Sequence, residues 1–304
     1  MPYGTEYIGQ KSRRGSRRKR LSGEVSSATN LFLPRKVMAC TNLDKNESQA
    51  GAFKSDIAPE MYIELNDYGS YYSRRVLEVN IEVFKMAFST PSDESQQFLD
   101  IGCGTGDFTR EHILPTCEPC RRIVAVDSSE IMLKYAREKY AHEKIVYEHL
   151  DIDNDVSGFL KKHGAFQRVY SFRTLQWSQD LSGALRNIAE LLVPGGECLL
   201  LFFARAFLME SFKQMSRLEP WSKYADVLLR GVPKSHEIID QKGQHAYLSS
   251  VLSSAGLIPC TAEVLVNPYM IWIQGMMQIA NPVFSLLSES ERPSFQEALS
   301  THLP

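Results

Sequence analysis

The alternation of short apolar runs with amphipathic stretches between residues 97 and 203 constrains the fold more than any other feature of the sequence. The runs typical of buried strands are QFLDI (97–101), RIVAVD (122–127), KIVYEHLDI (144–152), FQRVYSF (166–172) and GECLLLFF (196–203). The stretches typical of helices are DFTREHIL (107–114), SEIMLKYAREKYA (129–141), DVSGFLKKH (155–163) and DLSGALRNIAELL (180–192). Continuous apolar strands separated by helices form parallel sheets covered on both faces. The pattern therefore predicts an α/β fold with a doubly wound, Rossmann-like sheet.

The two ends of the chain differ from this central pattern. Residues 204–257 are mostly helical in character, LIPCTAEVLV (257–266) predicts a sixth strand, and helix-like segments rich in Met and aromatic residues follow. Residues 1–58 carry 11 Lys and Arg against five Asp and Glu, and seven of the ten residues from Lys11 to Arg20 are basic. So polar a segment buries too little apolar surface to offset its ordering entropy. We predict a disordered basic tail over residues 1–58 and a single folded domain over residues 59–304.

Charge and cysteine usage exclude several classes of protein. Outside the tail, 23 basic residues face 31 acidic ones, which argues against nucleic-acid binding by the folded domain. No signal peptide and no membrane-spanning stretch is evident, and the scattered cysteines are typical of a reducing compartment. We therefore expect a cytoplasmic protein, with nuclear import through the basic tail as the alternative. Cys117 and Cys120 form a lone CxxC without a second ligand pair, so no metal site is predicted.

The loop after the first predicted strand suggests which ligand the sheet binds. Gly102, Gly104 and Gly106 follow Asp100 in the pattern GxGxG, whereas the dinucleotide fingerprint is GxGxxG. Ligands of open parallel sheets bind at the carboxyl ends of the strands, where glycines allow the backbone to approach them. A carboxylate at this place repels a diphosphate and favours a ligand with positive charge. S-adenosylmethionine, which carries an ammonium and a sulfonium group but no phosphate, fits this requirement.

Two further carboxylates follow the next two strands. Asp127 ends the second strand, where an acidic side chain can accept hydrogen bonds from both ribose hydroxyls, although it could also cap the helix that follows. Asp151 ends the third strand and could accept a hydrogen bond from an adenine amino group, or simply form a turn. The predicted cofactor site also includes three neighbouring residues, Ser128, Ile152 and Ser171.

This combination resembles the class I S-adenosylmethionine-dependent methyltransferases over roughly residues 60–270. YIELN (62–66) and SFRTLQWSQDLSGALRNIAELLVPGGECLLLF (171–202) resemble, more narrowly, the juvenile hormone acid and farnesoic acid O-methyltransferases of arthropods. The resemblance implies methyl transfer from S-adenosylmethionine to the carboxylate of a sesquiterpenoid acid, in juvenile hormone biosynthesis. A carboxylate is already ionised at pH 7, so no general base is expected and we assign no catalytic residue.

The resemblance also implies where the acceptor binds. In that family a Trp after the fourth strand, matched here by Trp177, and a Gln in the leading helix hold the substrate carboxylate. Ser73 stands about where the Gln is expected, and Arg173 could supply the missing contact. Tyr62 and Asn66 belong to the leading segment and complete the predicted acceptor site. About half of the following residues are expected to line an apolar acyl pocket: Phe207, Phe212, Met215, Trp221, Tyr224, Met270, Trp272, Met276, Met277 and Phe284.

The sequence differs from the family pattern in two respects, and other functions therefore stay possible. Class I methyltransferases end in a seventh, antiparallel strand, and no such strand is evident in this sequence, so we expect the sheet to lack it. With Ser73 in place of Gln, the acceptor could be another fatty or small carboxylic acid or a phenol, or the protein could bind the cofactor without catalysis. A nucleic-acid methyltransferase rests on the basic tail alone, because SFRTLQW stands where a base-binding Asn-Pro-Pro-Tyr type motif would be.

Overall fold

A single parallel sheet organises the part of the chain that the computed structural model describes: residues 35–40, 58–60, 62–63, 88–89, 91–205, 207–262, 264, 283 and 286–301. Its strands are β1 (Arg35–Cys40), β2 (Gln97–Ile101), β3 (Arg122–Asp127), β4 (Ile145–His149), β5 (Phe166–Phe172), β6 (Leu192–Leu201) and β7 (Leu257–Ala262). The spatial order is β4-β3-β2-β5-β6-β1-β7, and every neighbouring pair is parallel. The predicted doubly wound sheet is confirmed.

Helices connect these strands. A π-helical turn at Thr109–Ile113 runs into α1 (Leu114–Cys117). The other helices are α2 (Glu130–Lys139), α3 (Ser157–His163), α4 (Leu181–Leu191), α5 (Phe207–Met215), α6 (Ala225–Arg230), α7 (Gln241–Ser254) and α8 (Arg292–Thr301). None of the helices that the structure describes is long and apolar enough to cross a membrane.

The alternation of side chains along the strands explains why both faces of the sheet are covered. In β2, Leu99 and Ile101 belong to a core cluster that also contains residues of α3, α4 and α7. Phe98 belongs instead to a cluster formed with α1 and α2, as does Ile123 of β3. Successive side chains of a strand point to opposite faces, so continuous apolar strands require helices on both sides.

The strand β1 corrects one expectation from the sequence, the disorder predicted for residues 35–40. It lies within the segment predicted to be disordered, and it pairs with β6 (Val37 beside Cys198) and with β7 (Lys36 beside Ile258). It thereby occupies the place between β6 and β7 as a parallel strand. Most of residues 263–285, which follow β7, lie outside the described residues, so the absence of an antiparallel seventh strand stays a prediction. The prediction of disorder is wrong for residues 35–40, whereas the rest of residues 1–57 lies outside the described residues.

The reason for this error is the length and location of β1. The six residues RKVMAC contain a short apolar run beside two charges, in a segment that is otherwise strongly polar. Their strand conformation depends on partners more than 150 residues away in the chain, and local sequence patterns do not report such pairing. The start of the fifth predicted strand also differs, because β6 begins at Leu192, before the predicted start at residue 196, and runs through the Pro-Gly-Gly stretch.

Candidate functional site

The glycine loop lies at the carboxyl end of β2, and its three glycines serve different purposes. Gly102 and Gly106 have φ angles of 78° and 79°, in the left-handed region. A Cβ atom at Gly102 would lie 2.0 Å from Thr174 Oγ1, and one at Gly106 would lie 2.7 Å from the hydroxyl of Tyr147. Packing against the protein therefore requires glycine at both positions, independently of any ligand.

Gly104 differs because the space beside it is open. Its φ angle is 54°, and a Cβ atom built there would meet only the ring of Tyr62, at 3.8 Å, among the described residues. The backbone of the loop is thus accessible at Gly104, beneath the ring of Tyr62. Of the three glycines, Gly104 is therefore the one that leaves room for the close approach to a ligand that the GxGxG pattern predicts.

Asp127, at the end of β3, is joined directly to this open glycine. The Gly104 amide donates to Asp127 Oδ2 at 2.9 Å, and the Ser129 amide donates to Oδ1, also at 2.9 Å. Burial raises the pKa of Asp127, while these two hydrogen bonds oppose the shift. Ser129, not Asp127, caps α2, since its hydroxyl accepts from the Met132 amide. Each carboxylate oxygen can still accept a further hydrogen bond, so Asp127 can bind a diol.

Asp100 lies inside β2 and is buried, with 3% of its surface exposed. The hydroxyl of Thr109 donates to its Oδ2 at 2.6 Å. Burial raises the pKa of Asp100 to about 7, the Thr109 hydrogen bond opposes the shift, and the charge of Asp127 adds to it. The sequence predicted a carboxylate exposed to the ligand, whereas the structure has one that is held mostly beneath the loop. A cation bound nearby would favour its ionised form.

The raised pKa of Asp100 predicts how stability depends on pH. The folded state binds this proton more tightly than the unfolded state, so the contribution of Asp100 is fully present below pH ~4 and is lost as pH rises to about 7. Relative to Asp100→Asn, the free energy of unfolding of the unsubstituted protein should fall by up to about 1.4 kcal/mol per pH unit between pH 5 and 7. Calorimetric unfolding of both proteins measures this, and a difference that is independent of pH would contradict it.

The other predicted cofactor residues lie in loops at the same edge of the sheet. Asp151 follows β4 and closes a turn, because its Oδ1 accepts from the Asp153 amide at 3.1 Å. The side chain of Ile152 packs in the core, and its carbonyl accepts from Asn187 Nδ2 at 2.8 Å. The Ser128 carbonyl contacts Nε2 of His149, a residue that the sequence did not single out, at 3.2 Å.

The hydroxyl of Ser171, another predicted cofactor residue, is used within the sheet. Ser171 is fully buried in β5, and its hydroxyl donates to the Ile101 carbonyl at 3.1 Å. Its hydroxyl therefore supports β2, the strand that carries the glycine loop, from the neighbouring strand. Thr174, which the sequence did not single out, supports the loop directly, since its Oγ1 lies 3.4 Å from the Gly102 carbonyl.

Trp177 and Arg173 lie in the loop after β5. Trp177 ends a 3₁₀ turn, is half-buried, and packs at the edge of an apolar cluster. This cluster is formed by α5, α6, α8 and the segments next to them, which we call the cap. Arg173 has a positive φ angle of 54°, and its amide donates to the Leu201 carbonyl at 2.6 Å. The Arg173 carbonyl accepts from Gln176 Nε2, also at 2.6 Å. Within the described residues its guanidinium makes no hydrogen bond or ion pair. Asn66 and Ser73 lie outside the described residues.

The cap cluster holds four of the predicted pocket residues. Its buried members are Phe212, Met215, Trp221, Leu228, Val283, Leu287, Phe295 and Leu299, with Trp177 and Tyr224 among the residues at its edge. Phe212 and Met215 are fully buried against their neighbours, so they pack as core, while Trp177 and Tyr224 remain partly accessible. The side chains of Phe207, Met270, Trp272, Met276, Met277 and Phe284 lie outside the described residues.

A buried histidine, His236, pairs with a carboxylate in the cap. Nε2 of His236 lies 2.8 Å from a carboxylate oxygen of Glu210 in α5, and His236 is 2% exposed. Burial lowers the pKa of His236, and Glu210 opposes the shift. A neutral imidazole paired with a carboxylate acts as a general base only where it reaches the acceptor. His236 is buried, and its described hydrogen-bond partners are Glu210 and the Pro233 carbonyl.

Comparison with known proteins agrees with this geometry. Residues 98–196 match the family described as "Methyltransferase domain". This segment is therefore similar in sequence to methyltransferase domains. The matched segment begins in β2 and ends in β6, so it contains the glycine loop, Asp127 and Trp177. The resemblance to class I S-adenosylmethionine-dependent methyltransferases is thereby confirmed.

Several individual proteins with similar sequences are O-methyltransferases. Juvenile hormone acid O-methyltransferase of Bombyx mori is 34% identical over 141 residues, which cover 46% of this chain and 49% of that protein. The Drosophila melanogaster protein of the same name is 27% identical over 66% of this chain and 67% of its own length. Malonyl-[acyl-carrier protein] O-methyltransferase of Pectobacterium atrosepticum is 30% identical over 42% of this chain and 47% of its own length. The chain thus spans between about half and two thirds of these relatives.

Proposed function

We propose that this protein transfers a methyl group from S-adenosylmethionine to the carboxylate of an apolar acid of the farnesoic or juvenile hormone acid type, forming a methyl ester. The observation that carries the proposal is the open backbone at Gly104 beside the carboxylate of Asp127. The juvenile hormone acid O-methyltransferases among its relatives support the choice of acceptor.

The residues at the edge of the sheet fit this cofactor. Asp127 retains acceptor capacity for two ribose hydroxyls, and Gly104 leaves room for the ligand against the backbone. Positive charge bound nearby would favour the ionised form of Asp100, whose pKa is raised to about 7 mainly by burial. When bound, S-adenosylmethionine supplies a methyl group activated by its own sulfonium charge.

The loop after β5 would hold the acceptor. Trp177 offers an indole N–H and a flat apolar face at the border between this loop and the cap cluster. The guanidinium of Arg173, which has no partner among the described residues, would bind the acceptor carboxylate in place of the absent Gln. Alignment of the carboxylate and exclusion of water then lower the barrier, without proton transfer.

A second candidate is methyl transfer to a hydroxyl acceptor such as a phenol. The neutral His236 beside Glu210 favours it, because a hydroxyl, unlike a carboxylate, must lose a proton during the transfer. A third candidate is a protein that binds the cofactor without catalysis, suggested by Ser73 in place of Gln.

Incubation with S-adenosylmethionine labelled in its methyl group, and with a panel of acceptors, separates these candidates. The panel contains farnesoic acid, a saturated fatty acid of similar length, a dicarboxylic acid and a phenol. We expect labelled product from farnesoic acid that releases labelled methanol in base, as esters do and phenyl ethers do not. Label that survives base would favour the hydroxyl acceptor. Bound cofactor with no product from any acceptor would contradict the proposal and favour the noncatalytic candidate.

A further inference from the structure

One side chain joins the loop after β4 to the loop after β5. We call residues 150–156 the adenine-side loop and residues 173–180 the Trp177 loop. Asp153 of the first loop accepts two hydrogen bonds from the second: Ser178 Oγ donates to Oδ1 at 2.5 Å, and the Gln179 amide donates to Oδ2 at 2.7 Å. Both donors follow Trp177 immediately in the chain. The Asp153 carboxylate therefore holds the two residues that come directly after the 3₁₀ turn of Trp177.

We propose that Asp153 is a positioning residue that couples occupancy of the cofactor site to the position of Trp177. The proposal rests on the proposed function, in which the adenine-side loop borders the cofactor and Trp177 borders the acceptor. Binding of the cofactor would then hold Trp177 in the orientation that receives the acceptor.

The adenine-side loop is hydrogen-bonded to α4, a helix of the core. The Asp153 amide donates to Asp151 Oδ1 at 3.1 Å, so the two carboxylates belong to one turn. Nδ2 of Asn187, in α4, donates to the carbonyls of both Ile152 and Asn154, each at 2.8 Å. The residues on either side of Asp153 are thus fixed to a core helix, and a change at Asp151 reaches Asp153 through a short, stiff turn.

The Trp177 loop also contacts α6 of the cap. Gln179 Nε2 contacts the carbonyl of Trp177 at 3.3 Å and that of Arg230, the last residue of α6, at 3.4 Å. Leu228, in the same helix, belongs to the cap cluster against which Trp177 packs. The Trp177 loop is therefore held between Asp153 on the cofactor side and α6 on the cap side.

The environment of Asp153 affects both its charge and the strength of its two hydrogen bonds. The side chain is half-buried, and burial raises its pKa, while the Ser178 hydroxyl and the Gln179 amide oppose the shift. Asp151 and Asp180 add a smaller upward shift by repulsion. Hydrogen bonds to a carboxylate are about twice as strong as those between neutral groups, so the ionised side chain holds two specific donors.

Asp155 provides a matched control in the same loop. Its carboxylate accepts from Ser157 Oγ at 2.6 Å and from the Ser157 amide at 3.1 Å, a hydroxyl-plus-amide pattern like that at Asp153. These bonds remain at the start of α3 and do not reach the Trp177 loop. Asp153→Ala and Asp155→Ala therefore remove the same chemistry, but only the first removes the link.

The experiment is a titration with S-adenosylhomocysteine, followed by calorimetry and by tryptophan emission. Each variant is also made with Trp177→Phe, and subtraction gives the emission of Trp177 alone. We expect Asp153→Ala to bind the ligand with a Kd within about threefold of the unsubstituted protein. Its Trp177 emission change should fall by at least about half, and kcat on the acceptor by about tenfold with KM for the cofactor unchanged. Asp155→Ala should alter none of these.

A second pair of variants keeps the proposal testable if Asp153→Ala does not fold. Asp153→Asn retains the shape and one acceptor and should give a smaller loss. Ser178→Ala removes one donor from the other side, and the double variant should lose no more than Asp153→Ala. An unchanged Trp177 response in Asp153→Ala, or an equal loss in Asp155→Ala, would overturn the coupling. The emission readout needs no acceptor, so failure of the coupling is distinguishable from failure of methyl transfer.

Discussion

Trp177→Phe should lower kcat/KM for esterification by about tenfold to a hundredfold. The substitution keeps an aromatic ring against the cap cluster but deletes the indole N–H, and a hydrogen bond to a charged acceptor contributes about 1.5–3 kcal/mol. Steady-state kinetics with farnesoic acid and saturating S-adenosylmethionine measures the effect. Affinity for S-adenosylhomocysteine should not change, because in the proposed function Trp177 contacts the acceptor and not the cofactor.

Trp221→Phe is the matched control. Trp221 is 4% exposed and packs edge-on against Phe295 within the cap cluster. Trp221→Phe tests whether replacing a buried tryptophan near Trp177 is enough to lower turnover. We expect kcat/KM to fall by no more than about twofold. Equal effects of the two substitutions would show that Trp177 acts through packing alone.

Ser73 offers the converse experiment. If the family's second donor is missing here, Ser73→Gln should raise activity on farnesoic acid. No gain, together with a sensitive Trp177, would indicate that the carboxylate is bound in another way, for which Arg173 is the candidate. Arg173→Gly removes that side chain without strain, because glycine adopts the positive φ angle at this position.

Removal of β1 should destabilise the domain strongly. Five residues of β1 are in register with β6 and five with β7, so its loss leaves two strand edges unpaired in the interior of the sheet. With a net contribution of roughly 1 kcal/mol per ladder hydrogen bond, we expect several kcal/mol of lost stability. For a domain of this size the Tm should fall by at least about 6 °C.

The comparison that isolates β1 is between deletions of residues 1–34 and 1–40. We predict that the first leaves the Tm unchanged within about 1 °C, as expected of a polar tail with no fixed fold, and that only the second lowers it. Met38→Pro in the full chain is a milder test, because proline cannot donate within a central strand. Identical melting of both deletions and of the full chain would contradict the placement of β1 in the sheet.

The sequence predicted the parts of this structure that depend on local patterns. The apolar runs marked β2 to β7 because buried parallel strands have to be continuously apolar. The glycine loop and Asp127 were predictable because strand ends gather at one edge of such a sheet. The Asp127–Gly104 hydrogen bond follows from that gathering.

The parts that were not predicted depend on distant contacts. The pairing of β1 joins segments far apart in the chain, and the bonds from Asp153 reach residues 25 and 26 positions away. The difference between Gly102, which packs on Thr174, and Gly104, which is open, is likewise set by neighbours from other loops. Spacing alone could not separate the glycine required by packing from the one that leaves room for a ligand.

Calorimetric titration with S-adenosylhomocysteine tests the central claim most directly, because it asks whether Gly104 and Asp127 form the cofactor site. We expect binding to the unsubstituted protein, and a Kd weakened by about five- to thirtyfold in Asp127→Ala, since charge-assisted hydrogen bonds to the ribose are lost. Asp127→Asn, which keeps an acceptor for the Gly104 amide, should separate loss of loop support from loss of the ligand contact. Asp155→Ala, which removes an exposed carboxylate whose hydrogen bonds remain at the start of α3, should bind as the unsubstituted protein does. Full affinity in Asp127→Ala would contradict the account.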